Sequence, residues 1–279
     1  MMTVQSNWAV ITGAGSGIGA AFLRRLAKHE PGLNCLAVGR RSAKLQEARQ
    51  LAISAASNGK SDRVHVIAAD VSSPNGISKI VTALPPNASV KYLIHNAGML
   101  GPIAPLAEIE RSTWHKVVAT NLEAPLFLTQ ALIPYLKRYF SETGAKPRIL
   151  NVSSGAALNA YEGWGPYCVT KAGLNMMYRC LSVELLHHGI LVGSVRPGVV
   201  DTDMQVQIRE YEGDHFPAQQ KFFDLHKGGQ LESPGKVATY FHWLLSKIGD
   251  DEFGNEEWDI RASSKNDSRW NEYLSEGGD

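Results

Sequence analysis

The feature that most constrains this chain is a glycine-rich run at residues 12–19, which reads Thr-Gly-Ala-Gly-Ser-Gly-Ile-Gly. It follows the apolar, β-branched segment 8–12, which predicts a buried parallel strand. After it, apolar residues at Ile18, Phe22 and Leu26 recur at helical spacing. A strand, a glycine turn and a helix in this order predict a dinucleotide-binding unit, because the free N–H groups at the start of such a helix face a diphosphate.

The glycines of this loop have separate tasks. Gly13 permits the tight turn after the strand, while Gly17 and Gly19 let the backbone approach a diphosphate and let the helix pack close to the sheet. Their spacing, Gly-x-x-x-Gly-x-Gly, differs from the commoner Gly-x-Gly-x-x-Gly, so a plain glycine-rich turn is the alternative. We expect cofactor contacts from the whole loop, namely Gly13, Gly15, Ser16, Gly17, Ile18 and Gly19.

Apolar, strand-like runs alternate with helical segments along most of the chain. Further strands are predicted at 33–38, 64–68, 92–95, 148–152 and 191–195. Helices are predicted at 43–57, at about 76–84, at 112–140 with a break, at 167–187 and at 234–247. This alternation predicts an α/β fold with a Rossmann-type, doubly wound parallel sheet and helices on both faces. Since no linker or repeat interrupts it, we predict one domain over residues 1–279.

Two segments depart from this alternation. Residues of about 200–235 are polar and rich in Gln, Glu and Phe, and they indicate an insertion near the carboxyl ends of the strands, where ligands bind in this architecture. We predict a substrate lid there, with Phe216, Phe222 and Phe223 as lid contacts or as local core. Residues of about 262–279 form a polar C-terminal tail.

Composition excludes several kinds of protein. A net charge of +1 gives no reason to expect nucleic acid or an anionic membrane as a partner. No apolar run is long enough to span a bilayer, and the first strand begins too early to leave room for a signal peptide. Neither the histidines nor Cys35, Cys168 and Cys180 show metal-ligand spacing. We therefore expect a cytoplasmic protein with reduced thiols and no metal.

The end of the second predicted strand indicates which nicotinamide cofactor binds. An NAD site would have an acidic residue here to accept from the ribose 2′-hydroxyl, and this chain has Gly39, Arg40 and Arg41 instead. Arg40 offers a planar fork of donors suited to a phosphate, and Arg41 and Ser42 are placed to assist. The residues predict NADP(H), with a merely solvated helix start as the alternative.

A tyrosine and a lysine supply the candidate chemistry. Tyr167 and Lys171 share one face of a predicted helix because they are one turn apart. A nearby ammonium favours phenolate, so we expect Lys171 to lower the pKa of Tyr167 and make the phenol usable near neutral pH. Ser154 follows the strand at 148–152, where its hydroxyl can hold a substrate oxygen. The alternative is an ordinary pair on a helix surface, which the serine and the glycine loop disfavour.

With these residues the chain resembles the short-chain dehydrogenase/reductase family over roughly residues 6–200. The resemblance implies a Rossmann-type fold and a nicotinamide cofactor bound at residues 12–19. It also implies cofactor contacts from three further motifs. These supply an adenine contact, a brace for the fourth strand and a loop beside the nicotinamide, and they are Asp70 with Val71, Asn96 with Ala97 and Gly98, and Pro197 with Gly198, Val200 and Thr202.

The same resemblance assigns catalytic roles. Ser154, Tyr167 and Lys171 match the family's catalytic positions and its serine-to-tyrosine interval, and the latter two also contact the cofactor. Asn121 matches the helix asparagine that holds a proton-relay water. The long helices at 112–140 and 167–187 carry positions that the family commonly uses for subunit contacts, which implies a homodimer or homotetramer.

Three later stretches, 163–168, 201–205 and 251–254, resemble the sepiapterin reductases and benzil reductases within that family. This implies NADPH-dependent reduction of a small-molecule ketone or 1,2-diketone. The implied substrate contacts are Ser154, Trp164, Tyr167, Met204 and Asp259, the last near the aspartate that anchors the pterin in sepiapterin reductases. Two alternatives stay open: a 3-oxoacyl-carrier reductase, which needs a basic patch at the pocket mouth, and a non-catalytic NADP(H) sensor.

Overall fold

A computed structural model describes residues 6–56 and 61–275, and the predictions for residues 1–5, for residue 57 and for residues 276–279 lie outside it. Its centre is a seven-stranded parallel sheet of strand order β3-β2-β1-β4-β5-β6-β7. The strands are β1 (Ser6–Thr12), β2 (Asn34–Gly39), β3 (Val64–Ala68), β4 (Ala88–His95), β5 (Arg148–Val152), β6 (Leu191–Arg196) and β7 (Trp258–Asp259). The predicted Rossmann-type sheet is confirmed, and β7 is the strand that the sequence pattern missed because it has only two residues.

Helices connect these strands. In chain order they are α1 (Gly17–His29), α2 (Ser42–Ala55), α3 (Pro74–Thr82), α4 (Arg111–Val118), α5 (Ala124–Thr143), α6 (Gly165–Leu186), α7 (Asp203–Arg209), α8 (Gln219–Lys227), α9 (Pro234–Ser246), α10 (Asp250–Phe253), α11 (Ile260–Asn266) and α12 (Ser268–Ser275). The predicted break in the helix at 112–140 is a π-helical turn, Ala119–Glu123, between α4 and α5. Turns of this kind occur frequently at functional sites, and this one carries Asn121 into the interior.

Central strands are buried on both faces of the sheet. Along β1, Ala9 and Ile11 face a cluster that includes residues of α1 and α9, while Val10 faces a second cluster that includes residues of α5. Successive side chains of a strand point to opposite faces, so a strand covered on both faces must be apolar throughout. Burial of each large apolar side chain contributes roughly 1.5–3 kcal/mol to the free energy of folding. This packing fixes the carboxyl ends of β1, β4 and β5 side by side at one edge of the sheet.

The polar C-terminal segment is part of this packing. Although the segment is polar in composition, Trp270 of α12 is fully buried. The indole packs edge-on against Tyr240 at 4.9 Å between ring centroids and lies 5.6 Å from the ring of Trp243, both on α9. Tyr273 of α12 also contacts α9, with its hydroxyl 2.8 Å from His242 Nδ1, so the segment that composition marks as a tail covers α9 through two aromatic side chains.

Candidate active site

The glycine loop is held by contacts with the backbone and with the amide of Asn96, which leave no room for a side chain at Gly13 or Gly19. Gly13 and Gly17 have positive φ angles of 65° and 53°. The amide of Asn96 donates to the carbonyls of Thr12 (3.0 Å) and Gly13 (3.2 Å). A Cβ on Gly19 would collide with the Gly13 carbonyl and come within 2.6 Å of Asn96 Nδ2. Asn96, expected to brace the fourth strand, thus also ties that strand to the glycine loop.

The start of α1 fits an anion. Ser16 is the N-cap residue, yet its side chain makes no capping hydrogen bond, and the first turn of α1 carries no acidic residue. At Gly15 an added Cβ would meet only ordinary contacts, the nearest with Lys44 Cβ at 3.4 Å. A helix start with uncapped N–H groups and a partial positive charge is a site for a phosphate group. The residues present therefore fit the diphosphate of a dinucleotide.

Two exposed arginines follow β2 beside this loop. Arg41 donates from Nη2 to the hydroxyl of Ser16 at 3.1 Å and lies 3.5 Å from the carboxylate of Asp203 on α7. Arg40 lies close enough to Asp70 to act on its charge. Burial raises the pKa of Asp70, but hydrogen bonds from Ser72 and the charge of Arg40 outweigh it, so the pKa is lowered overall. Arg41 thus lies against the glycine loop, and Arg40 lies near Asp70.

The predicted adenine and nicotinamide loops also lie at this edge. Asp70 accepts hydrogen bonds from the Ser72 N–H (3.0 Å) and hydroxyl (2.7 Å), and Val71 beside it is buried. The loop after β6 crosses the glycine loop, because a Cβ on Gly17 would lie 3.0 Å from the methyl of Thr202. The remaining predicted residues of these loops, Ala97, Gly98, Pro197, Gly198 and Val200, follow the carboxyl ends of β4 and β6.

Ser154, Tyr167 and Lys171 come together at the carboxyl end of β5. Lys171 donates from Nζ to the carbonyl of Val152, the last residue of β5, at 2.7 Å. Its ammonium lies 5.6 Å from the ring centroid of Tyr167, one helical turn earlier on α6. Ser154 starts the turn after β5 and hydrogen-bonds Tyr167. Two hydroxyls and an ammonium are therefore in place around one point at the sheet edge.

Burial dominates the acidity of this group. Burial raises the pKa of Tyr167 above its usual value, and the hydrogen bond with Ser154 acts in the opposite direction without cancelling it. Burial lowers the pKa of Lys171 to about 8, opposed by the negative charge of Glu257. The expectation that the pKa of Tyr167 is lowered is wrong, because the loss of hydration around a phenol that is 7% exposed raises it. Tyr167 is a protonated phenol at neutral pH.

Asn121 is fully engaged as a brace. Its side-chain nitrogen donates to the Met99 carbonyl (2.8 Å) and to the Thr170 hydroxyl (3.1 Å), and its oxygen accepts from the Met99 N–H (2.9 Å). These bonds tie the loop after β4 to α6 next to Lys171. A Cβ on Gly98 would lie 3.8 Å from Lys171 Nζ, so this loop closes over the lysine. The relay water expected at Asn121 stays a prediction.

An aromatic cluster covers the other side of Tyr167. Trp164 stacks on Phe216 at 4.8 Å with 15° between the rings and lies 5.3 Å from Phe222. It meets Tyr167 edge-on at 6.0 Å. Phe216 and Phe222 are buried, whereas Phe223 is 42% exposed. Two of the three phenylalanines in the segment 200–235 therefore pack on Trp164, in the same cluster as Tyr167.

This architecture agrees with comparisons to known proteins. A family model described as short chain dehydrogenase matches residues 7–213. The chain belongs to the short-chain dehydrogenase family. It is 34% identical over 241 residues to the benzil reductase ((S)-benzoin forming) of Bacillus cereus, covering 86% of this chain and 94% of that protein. It is 32% identical over 251 residues to sepiapterin reductase of Mus musculus, covering 85% and 91%.

A solved structure confirms the fold. A single-residue variant of actinorhodin polyketide ketoreductase, solved with NADPH, superposes with a TM-score of 0.78 at 26% identity, covering 95% of this chain and 100% of that chain. Members of the family bind a nicotinamide cofactor, and the loop, the arginines and the Tyr167–Lys171 pair are where this chain would hold it. Within the described residues, no helix has both the length and the hydropathy needed to cross a membrane.

The two remaining predicted substrate residues, Met204 and Asp259, lie in different surroundings. Met204 at the start of α7 packs against the aromatic cluster that covers Tyr167. The carboxylate of Asp259 is bound by other partners. Its oxygens accept from Arg261 at 2.9–3.3 Å, it caps α11, and it lies 3.5 Å from Arg196. An anchoring role would require Asp259 to leave these partners.

A cleft of about 590 Å³ opens beside the cluster of this short-chain dehydrogenase. It lies between the loop after β4, which contributes Ile103, and the segment of α7 and beyond. Three carboxylates line it, those of Asp203, Glu210 and Glu212. Sequence reasoning did not single out Ile103, which lines this cleft. The sequence gives no clear signal for it, because Leu100, Ala104 and Leu106 close by are also apolar.

Proposed function

We propose that this chain is an NADPH-dependent carbonyl reductase that transfers hydride to a ketone or 1,2-diketone of the benzil or sepiapterin kind. The observation that carries the proposal is the placement of Ser154, Tyr167 and Lys171 at one point, with a cluster of aromatic rings against Tyr167. An apolar, aromatic wall suits a neutral aryl or heteroaryl carbonyl compound better than a small polar one. The benzil and sepiapterin reductases among the relatives support the same substrate class.

The chemistry follows from how these groups are held. The bound cofactor would supply a hydride to the substrate carbonyl carbon. The hydroxyls of Ser154 and Tyr167 hold the carbonyl oxygen, where negative charge develops and where preorganised donors act most strongly. Burial keeps Tyr167 protonated, so it has a proton to give to that oxygen. Lys171, fixed on the Val152 carbonyl, places a positive charge beside the phenol and stabilises the phenolate that results.

Arg40 and Arg41 support NADP(H) as the cofactor. Both are exposed, both follow β2, and one of them already contacts the glycine loop at Ser16. A 2′-phosphate carries the charge and the oxygen atoms that a guanidinium group binds with paired hydrogen bonds. The NADPH bound in the actinorhodin ketoreductase structure is consistent with this choice.

The charge of the cleft disfavours the acyl-carrier alternative. A carrier-linked substrate would need a basic patch at the pocket mouth, and the cleft beside the aromatic cluster is lined by Asp203, Glu210 and Glu212. Arg41 offsets the charge of Asp203, and the carboxylates of Glu210 and Glu212 repel an acidic carrier protein. The sensor alternative is disfavoured because a protein that only binds the cofactor does not need a serine and a protonated tyrosine hydrogen-bonded to each other in the site.

We also propose a homodimer or homotetramer in the cytosol. Val169, Met176 and Val183 on α6 are exposed and recur every seventh residue, so they form one apolar stripe along the helix. Phe127 on α5 is also exposed. Apolar stripes of this kind mark subunit interfaces. The free state of the three cysteines supports the cytosol.

A substrate screen tests the function. NADPH oxidation is followed with benzil, sepiapterin, quinones and 3-oxoacyl thioesters, each compared with a monoketone of similar size. The proposal expects diketones or pterins to give the highest kcat/KM and thioesters the lowest. If thioesters are the best substrates, the proposal is wrong and the acyl-carrier alternative is correct. If NADPH binds but no compound is turned over, the sensor alternative is correct.

A further inference from the structure

Glu257 is a buried carboxylate that the site described so far does not use. It lies in the segment between α10 and β7, after the residues matched by the family model. Its side chain is 6% exposed. It accepts a hydrogen bond from the Ser194 hydroxyl at 2.9 Å and lies 3.2 Å from Arg196 Nε, both on β6. Burial of a carboxylate costs free energy unless its partners compensate, so its position calls for an explanation.

The alternation of β6 places this carboxylate on the catalytic face of the sheet. Val195 faces the cluster of α1 and α9, as does residue 193, where an added Cβ on the glycine would meet the ring of Phe253. Val192 faces the opposite cluster, together with Tyr178 of α6. Side chains two apart on a strand share a face, so Ser194 also points toward α6. Glu257, bound to Ser194, therefore reaches the layer between the sheet and the helix that carries Lys171.

The surroundings of Lys171 hold few other charges. On α6 the titratable neighbours are Tyr167, Cys168 and Tyr178, which are neutral at pH 7 and whose pKa values burial raises further, with Arg179 beside Tyr178. On β6 the charged group is Arg196, which is paired with Glu257. From β5 the ammonium meets the Val152 carbonyl, and from the loop after β4 and the π-helical turn it meets Gly98 and the amide of Asn121.

Among the described residues, Glu257 is the one charged group that acts on the pKa of Lys171. Its negative charge raises that pKa, while burial lowers it to about 8. The same carboxylate also raises the pKa of Tyr178, two helical turns further along α6. A single carboxylate thus reaches the stretch of α6 from Lys171 to Tyr178.

We propose that Glu257 is a positioning residue, held by Ser194 and Arg196, whose charge keeps the buried Lys171 in its ammonium form at physiological pH. Without it, a lysine surrounded by apolar and neutral groups loses its proton more readily. The phenolate that forms on Tyr167 would then lack its stabilising charge. The inference concerns Lys171 itself and applies to any carbonyl substrate.

The decisive variant is Glu257→Gln, which keeps the shape and the hydrogen bond from Ser194 but removes the charge. Wild-type kcat/KM for reduction should fall above about pH 8, where Lys171 loses its proton. In Glu257→Gln this alkaline limb should move about one pH unit lower, which is the pKa shift that a nearby opposite charge produces. Glu256→Gln, an exposed carboxylate in the same segment, is the matched control and should leave the limb unchanged.

A second readout needs neither substrate nor cofactor. NMR titration of 13C-lysine-labelled protein follows the Lys171 side chain, assigned with a Lys171→Met variant, and its pKa should fall by the same amount in Glu257→Gln. Glu257→Asp should restore part of the shift. If the substrate screen fails, this titration still tests the inference separately.

An unchanged Lys171 titration in a folded Glu257→Gln protein overturns the proposal, as does an equal shift in Glu256→Gln. If Glu257→Gln does not fold, Ser194→Ala removes the hydroxyl that holds the carboxylate and should shift the titration in the same direction by a smaller amount. A folded Ser194→Ala protein with the wild-type titration would then be the contradicting result.

Discussion

The cofactor side and the substrate side of this active site are built in different ways. On the cofactor side, Gly13 and Gly19 are fixed by contacts with backbone atoms and with the amide of Asn96, and no side chain fits there. On the substrate side, Trp164, Phe216 and Phe222 meet through ring stacking. The indole nitrogen of Trp164 is buried with no hydrogen-bond partner in the described structure. Directional bonds define the first region, and apolar packing defines the second.

This difference sets how each region responds to change. A backbone cradle tolerates almost no added atoms, because a glycine that touches a carbonyl cannot move without moving a strand. An aromatic cluster tolerates substitutions of similar volume, since packing has no required direction. Cofactor binding is therefore expected to weaken sharply where an added atom meets the backbone, as at Gly19, while substrate preference is expected to change gradually.

The two regions meet at Tyr167, where the largest effect is expected. Tyr167→Phe keeps the ring that packs against Trp164 but removes the proton donor. General acid catalysis contributes about 10²–10⁴-fold, so kcat should fall by that factor while the Kd for NADPH, measured by fluorescence, stays unchanged. Ser154→Ala should lose less, because one donor survives. Near wild-type turnover in Tyr167→Phe would show that another group supplies the proton.

Cofactor preference is the next effect in size. A charge-assisted hydrogen bond to phosphate contributes about 1.5–3 kcal/mol, so NADPH should be preferred over NADH by more than about tenfold in kcat/KM. Arg40→Asp should reverse the preference, because an acidic residue accepts from the ribose 2′-hydroxyl and repels the phosphate. Lys137→Asp, the same change of charge at an exposed residue on α5, is the control and should keep the preference for NADPH. Equal use of both cofactors by the wild-type protein would contradict the assignment.

The backbone cradle itself is tested by a pair of alanines. Gly19→Ala places a Cβ against the Gly13 carbonyl, and overpacking of this kind costs about 1–3 kcal/mol. The loop must shift, so the Kd for NADPH should rise by about tenfold or more. Gly15→Ala meets its nearest neighbour at 3.4 Å and should bind nearly as the wild type does. If calorimetry gives the same Kd for NADPH in Gly19→Ala and Gly15→Ala, the backbone cradle is not what holds the cofactor.

The sequence predicted the conformation of the glycine loop well, because the requirements of that loop are local. The sequence has glycine at positions 13, 17 and 19, where a side chain would strain the backbone or clash. The six longer strands appear in it as apolar runs. The substrate side was less visible. That Phe216 and Phe222 pack on Trp164 while Phe223 points to solvent depends on how α8 docks, which no local pattern determines. The pKa of Tyr167 was predicted in the wrong direction, because burial is a property of the folded chain.

The smallest effect is expected in the aromatic cluster, where it also shows whether the segment 200–235 acts as a lid. Phe216→Leu keeps an apolar side chain but loses the stack on Trp164. Such a pair is worth about 0.5–1.5 kcal/mol beyond its buried area, so the closed arrangement is less populated and KM for a diketone should rise about two- to tenfold. kcat should hold, because Ser154, Tyr167 and Lys171 are untouched. The same replacement at exposed Phe223 is the control, with an unchanged KM. A fall in kcat with constant KM would instead mean that Phe216 shapes the catalytic group, and the sharp division between the two sides of the site would be lost.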